Sequence, residues 1–199
     1  DLDAAIAIFN SNTATAYATA NKTFYPSKTL AQALKARVYA LKGDYTNAET
    51  FANTVINTSG ITLANTQAKY NAVFHTHNED ANTEVIFRLK RTVQQNAQGT
   101  HLHNGWVSVA NRVNGSPFYE VSRSLYNKLA AVSGDFRLAT TVHLTGTSAS
   151  VIDPNYTTAT DVRNSDIIVL HKHGGQSAVT SSNGFNPDFM VARLSEMYL

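Results

Sequence analysis

A chain of 199 residues is long enough for one domain with a full core, or for two small ones. Sixteen Lys and Arg against fourteen Asp and Glu leave a formal charge of +2, too even a balance to announce a nucleic acid or an acidic surface as partner. Cysteine is absent, which removes disulfides, thiolate nucleophiles, zinc ribbons and iron–sulfur sites without fixing the compartment.

The chain opens on Asp1-Leu2-Asp3 with no Met and no charged n-region before an apolar h-region, so it reads as a mature or excised piece without a signal peptide. Leu2, Ala5, Ile6 and Phe9 form an i, i+3, i+4, i+7 stripe, which predicts a short amphipathic helix. Residues 10–25 are rich in Ala, Thr and Asn, have no clean period and read as a linker. Pro26-Ser27 then opens the strongest helix, with Ser27 as N-cap, Leu30, Leu34, Val38 and Leu41 on one face, and Gly43 as the stop. After the turn Gly43-Asp44-Tyr45, Thr46 and Glu49 match a capping box for a second helix. That helix carries Ala48, Phe51, Ala52, Val55 and Ile56 on its inner face and ends near Ser59-Gly60. Two helices joined by a tight Gly turn make an antiparallel hairpin.

Beyond Gly60 the pattern changes. Residues 84–90 read as a strand, and the Asn/Gln/Gly/His-rich stretch 94–114, which holds the single Trp, reads as loop. Ser116-Pro117 could begin a helix with Val121, Leu125, Tyr126 and Leu129 along one side and a stop at Ser133-Gly134. Residues 140–144 and 166–171 are candidate strands, separated by a Ser/Thr/Asn/Pro loop. In the last segment Phe189, Ala192, Arg193, Glu196 and Met197 fall at helical spacing. No apolar run reaches the roughly 18 residues of a transmembrane helix.

Charged residues are only 15% of the chain. Asn and Thr together supply roughly a fifth instead, well above average usage. Amides and hydroxyls keep such a surface wet and suit hydrogen bonding to neutral polar ligands.

The run Ala33-Leu34-Lys35-Ala36-Arg37-Val38-Tyr39-Ala40-Leu41-Lys42-Gly43-Asp44-Tyr45-Thr46-Asn47-Ala48 resembles a tetratricopeptide helix pair. Ala36 and Ala48 permit close approach of the helices, and Tyr39 wedges between them. One such pair cannot bury its face alone, and stable arrays need roughly three. In its wider order the chain resembles the SusD/RagB family of Bacteroidetes outer-membrane nutrient-binding lipoproteins. Its signals are Asp1-Leu2-Asp3-Ala4-Ala5, the pair around Arg37-Val38-Tyr39, Asn53-Thr54-Val55-Ile56, a Tyr70-Asn71-Ala72-Val73-Phe74 turn and the strand Glu84-Val85-Ile86-Phe87. Asp135-Phe136-Arg137 and a closing Arg193-Leu194-Ser195-Glu196 helix complete the order. The family's lipidated Cys, further N-terminal helix pairs and a C-terminal helical stretch have no counterpart here, so the resemblance implies an internal fragment.

The fold implied is α+β, mainly α: a tetratricopeptide-like hairpin packed on a loop-rich subdomain with short strands. Its divisions are 1–60 for the helical part, 61–186 for the variable subdomain and 187–199 for the start of a C-terminal helix. The function implied is non-catalytic capture of extracellular glycans for a SusC-like TonB-dependent transporter. That places the protein on the extracellular face of the outer membrane through a lipid anchor lying outside these residues. No cofactor and no nucleic acid enter this reading. The alternatives are a tetratricopeptide adaptor for a protein partner and a His-site metal hydrolase.

The family's binding residues follow no common motif, so candidates come from chemistry alone. A sugar needs a flat apolar face for its C–H side and planar polar groups for its hydroxyls. Within residues 101–119, Trp106 could supply the platform, and His103, Asn104, Asn111, Arg112 and Tyr119 the hydrogen bonds. The competing reading makes Trp106 a core anchor for a long loop. The pairs His75/His77, His101/His103 and His171/His173 put two imidazoles on one face wherever they lie on a strand. No His-Glu-x-x-His helix accompanies them, and exposed loop histidines are the reading taken. A nucleophile elbow and Gly-rich phosphate loops are absent, and no carboxylate pair stands out for glycosidase chemistry. Asp135 with Arg137 reads as a structural clamp, and Asp188 and Glu196 as framework positions.

Overall fold

The computed structural model describes residues 1–12, 22–75, 84–89, 121–142, 170, 172 and 188–199. Two compact units divide the chain: Asp1–Ala64 with Asn78–Lys90 and Asp188–Leu199, and Asn65–His77 with Arg91–Pro187. Among the described residues the structure is mainly helical, with six α-helices and one two-stranded sheet.

The first unit is organised around α2 (Lys28–Leu41), against which α1 (Leu2–Ser11) and α3 (Tyr45–Thr58) both pack. The Ser27 hydroxyl caps α2 by accepting from the Leu30 amide at 3.1 Å. At the other end Gly43 takes φ +76°, the left-handed conformation that glycine adopts without a Cβ penalty. The Gly43 amide then donates to Ala40 and the Asp44 amide to Tyr39, the paired bonds of a Schellman cap. Asp44, not Thr46, is the N-cap of α3. Its carboxylate accepts from the Asn47 amide at 3.2 Å and from the Asn47 side chain at 2.6 Å. The helix therefore starts two residues earlier than the Thr46/Glu49 box implies, because a charged acceptor directly after the Gly turn satisfies the orphan amides first.

The buried face of α2 also differs from the expected leucine stripe. Leu30, Ala33 and Ala36 enter the core, whereas Val38 is exposed and Leu41 is 82% exposed. With neighbours on two sides, α2 presents small residues to them, and its larger apolar groups towards the C-terminus are left outside. Lys35 is buried between these helices. It reaches Asp3 of α1 and lies 4.0 Å above the Phe51 ring, which stacks parallel to Tyr39 at 5.7 Å. Along the outer face of α3, the Thr50, Thr54 and Thr58 hydroxyls each donate to the carbonyl four residues back. The uncharged surface is thus partly satisfied by its own helix.

Strand β1 (Val85–Leu89) pairs antiparallel with β2 (Phe189–Arg193). The register breaks twice, between Val85 and Phe87 and again between Phe87 and Arg88. These irregularities explain why the neighbours Val85 and Ile86 are both buried, where an unbroken strand would alternate. The end of the chain is not the helix its spacing suggests. Residues 189–193 are strand, and Leu194–Tyr198 form a short 3-10 turn. Pairing with β1 overrides the local period, and Leu194 continues it by donating its amide to the Glu84 carbonyl at 3.0 Å. Leu30, Ala33, Ala36, Val55, Ile86, Ala192, Leu194 and Met197 together make the core.

In the second unit, Tyr70-Asn71-Ala72-Val73-Phe74 belongs to a helix rather than a turn: α4 (Gln67–His75), with Thr66 accepting from the Lys69 amide. Helices α5 (Arg123–Ala130) and α6 (Arg137–Thr141) follow, and α6 packs on both α4 and α5. The described start of α5 is capped by Ser122. Tyr70 meets Phe74 edge-on at 5.1 Å and Phe136 at 5.4 Å. Thr140 bonds Asn71, and Val142 pairs with Leu170 in an isolated antiparallel bridge. The two candidate strands are thus represented by this one bridge, with Thr140 itself in α6.

Candidate functional site

Trp106, His103, Asn104, Asn111, Arg112 and Tyr119 lie outside the described residues, as do His77, His101, His171, His173 and the His75 side chain. What the structure describes is the frame from which these segments depart. Residues 90–120 follow directly after β1, starting two positions beyond Arg88, and the described chain resumes at the buried Val121. Residues 143–169 are bracketed by the Val142–Leu170 bridge. Among the described residues no three His, Asp or Glu side chains stand together as metal ligands, and no helix is long and apolar enough to cross a membrane.

Most charged residues singled out in the sequence hold this frame together. The Arg37 guanidinium donates to both Glu196 oxygens, at 2.5 and 2.6 Å, and to the Val191 carbonyl at 2.8 Å. The Glu84 carboxylate accepts from Arg193 at 3.1 Å and from the Ala64 amide at 3.0 Å. Arg88 and Asp188 form an ion pair at 3.2 Å with side chains 0% and 2% exposed, and the Arg88 Nε donates to Thr23. Arginine suits these positions because its planar fork meets a carboxylate with two parallel bonds. Each pair joins segments distant in sequence, so these groups are committed to structure.

Asp135 and Arg137 form a local clamp. The Arg137 backbone amide and guanidinium both donate to the Asp135 carboxylate, the closest contact being 2.6 Å. The hydrogen bonds from Arg137 hold the Asp135 carboxyl below its ordinary value. A depressed carboxyl adds stability above its unfolded pKa, and that stability is lost as pH falls through the folded one. Asp135→Asn should therefore lower the urea midpoint most at pH above the ordinary carboxylate range, and the gap to the parent should close as pH falls below that range. A gap independent of pH would show that the clamp acts through shape alone.

The first unit also contains a groove of about 590 Å³ that sequence reasoning missed. Ala36 and Ala40 of α2 and Ala48 and Ala52 of α3 form its floor, and Leu41, Tyr45 and residues 196–199 its walls. The signal was present in the spacing: Ala at i and i+4 on both helices of a pair. The lining is mainly apolar, which suits a helix face better than a sugar hydroxyl array.

No protein-family model and no curated protein matches the sequence. Solved structures do. A SusD-superfamily protein from Bacteroides thetaiotaomicron is 22% identical with a TM-score of 0.66, covering 99% of this chain and 39% of its own. One from Bacteroides fragilis is 20% identical with a TM-score of 0.64, covering 99% and 44%. A laminarin-binding SusD-like protein is 19% identical with a TM-score of 0.60, covering 90% and 44%. The chain spans less than half the length of each. Over the span it covers, the chain shares the fold of these SusD-superfamily and SusD-like structures.

Proposed function

We propose that this chain is part of a non-catalytic protein that captures extracellular glycans at the bacterial outer membrane and passes them to a SusC-like TonB-dependent transporter. The observation that carries the reading is the fold likeness over 90–99% of the chain, among structures that include a laminarin binder. A surface short of charge and rich in Asn and Thr agrees with a neutral polar ligand. The described carboxylates Glu84, Asp188 and Glu196 are engaged by arginines, which argues against their use as acid and base. In this reading Trp106 is the sugar platform, with His103, Asn104, Asn111, Arg112 and Tyr119 as hydrogen-bonding partners, all on a segment that begins where β1 ends. Loops carried by a rigid scaffold are where such contacts concentrate.

Trp106 is the single Trp of these residues, and comparing the whole protein with its Trp106→Ala variant isolates the signal it contributes. Titrating soluble oligosaccharides of several backbone classes into the whole protein should give a saturable change in Trp fluorescence with one class. Trp106→Ala should weaken that binding at least about fivefold by calorimetry, since truncating an aromatic anchor of a binding site costs more than about 1 kcal/mol. Unchanged affinity in a folded Trp106→Ala protein would return Trp106 to the core. Absence of binding across all classes would refute glycan capture.

A further inference from the structure

The chain leaves the first unit after Lys90 and re-enters it at Asp188, and the glycan candidates from His103 to Tyr119 fall between these points. The neck of this excursion is built from the end of β1 and the start of β2. Leu89 stands opposite Phe189 and Arg88 opposite Met190, so the two ends are held about one strand spacing, ~4.8 Å, apart. The register breaks between Phe87 and Arg88. Such an irregularity lets a strand bend, so strand pairing alone leaves the direction of departure loosely set. The Arg88–Asp188 ion pair lies at this point, 3.2 Å long and out of water. Arg88 is held from its other side by Thr23, which accepts from its Nε, and by the Phe24 ring at 4.7 Å. A well-packed apolar pair commonly matches a buried ion pair in stability, so stability does not account for charges here. A guanidinium meeting a carboxylate is directional, which an apolar contact is not.

We propose that Arg88, acting through Asp188, is a positioning residue for glycan capture: the pair fixes the neck from which the segment carrying Trp106 departs, and so pre-sets its contacts. The role rests on the reading of Trp106 as the sugar platform. Arg88→Met with Asp188→Leu removes both charges and leaves an apolar pair. In the whole protein, under conditions where parent and double variant are both fully folded, this variant should bind the parent's glycan at least about fivefold more weakly. Contacts that are no longer pre-ordered lose affinity. Leu89→Cys with Phe189→Cys, both half-exposed and directly opposed, closes the neck by a disulfide instead, and residues 1–199 hold no other Cys. Added to the double variant, the disulfide should restore the affinity when oxidised, and dithiothreitol should abolish the gain. A purely structural pair predicts equal affinity whenever the protein is folded, and that result would overturn the proposal. The neck is also read without glycan: the disulfide should close at least about fivefold faster with the ion pair than without it, since closure needs aligned Cβ positions. Equal closure rates would overturn the proposal as well. If the parent binds no glycan, glycan capture fails, and the closure rates alone decide whether the pair sets the neck.

Discussion

Arg88→Met should destabilise the protein by about 3–5 kcal/mol, a large part of the stability of an ordinary domain. Arg88 and Asp188 lie almost wholly out of water, and removing the cation strands a carboxylate there. The same guanidinium bonds Thr23 and lies 4.7 Å from the centre of the Phe24 ring, so its loss also frees the turn that packs on β1. A further measurement separates charge from packing. The double variant Arg88→Met with Asp188→Leu should recover most of the loss, since a well-packed apolar pair commonly equals a buried ion pair. A single-variant cost below about 1 kcal/mol in urea unfolding would mean that water reaches the pair.

How much of this architecture can be read from the sequence depends on whether its cause is local. The α2–α3 hairpin is legible because Ser27, Gly43 and the apolar spacing act within a few residues of one another. Asp44 shows the limit: two capping solutions overlap, and only the backbone at the turn decides between them. Strand β2 is not legible, because Phe189–Arg193 becomes a strand through a partner about a hundred residues earlier, while its own spacing is helical. Arg37 with Glu196 and Arg88 with Asp188 are visible as charged residues, but no period in the chain says which carboxylate meets which guanidinium. Val38 and Leu41 mislead for the opposite reason: their stripe is helical, but both are exposed, and Leu41 lines an open groove. The glycan candidates rest on residue type alone, since Trp106 and its companions lie outside the described residues.

Leu194→Ala should cost about 2–5 kcal/mol. Leu194 is 1% exposed and sits in the core with Val55, Ile86 and Met197, at the point where β2 passes into the closing 3-10 turn. Its surroundings come from α2, α3 and β1, three elements already held by their own contacts, so the site cannot collapse far to fill the void. Leu89→Ala, at the half-exposed end of β1, removes the same atoms from a position that keeps its water, and should cost under about 1 kcal/mol. Urea unfolding of both variants under one condition checks the contrast. Comparable costs would show that the end of the chain peels away from the hairpin before the core opens. A large difference makes Leu194 the residue through which the C-terminal segment is fixed to α2 and α3, and so the residue that holds the groove wall in place.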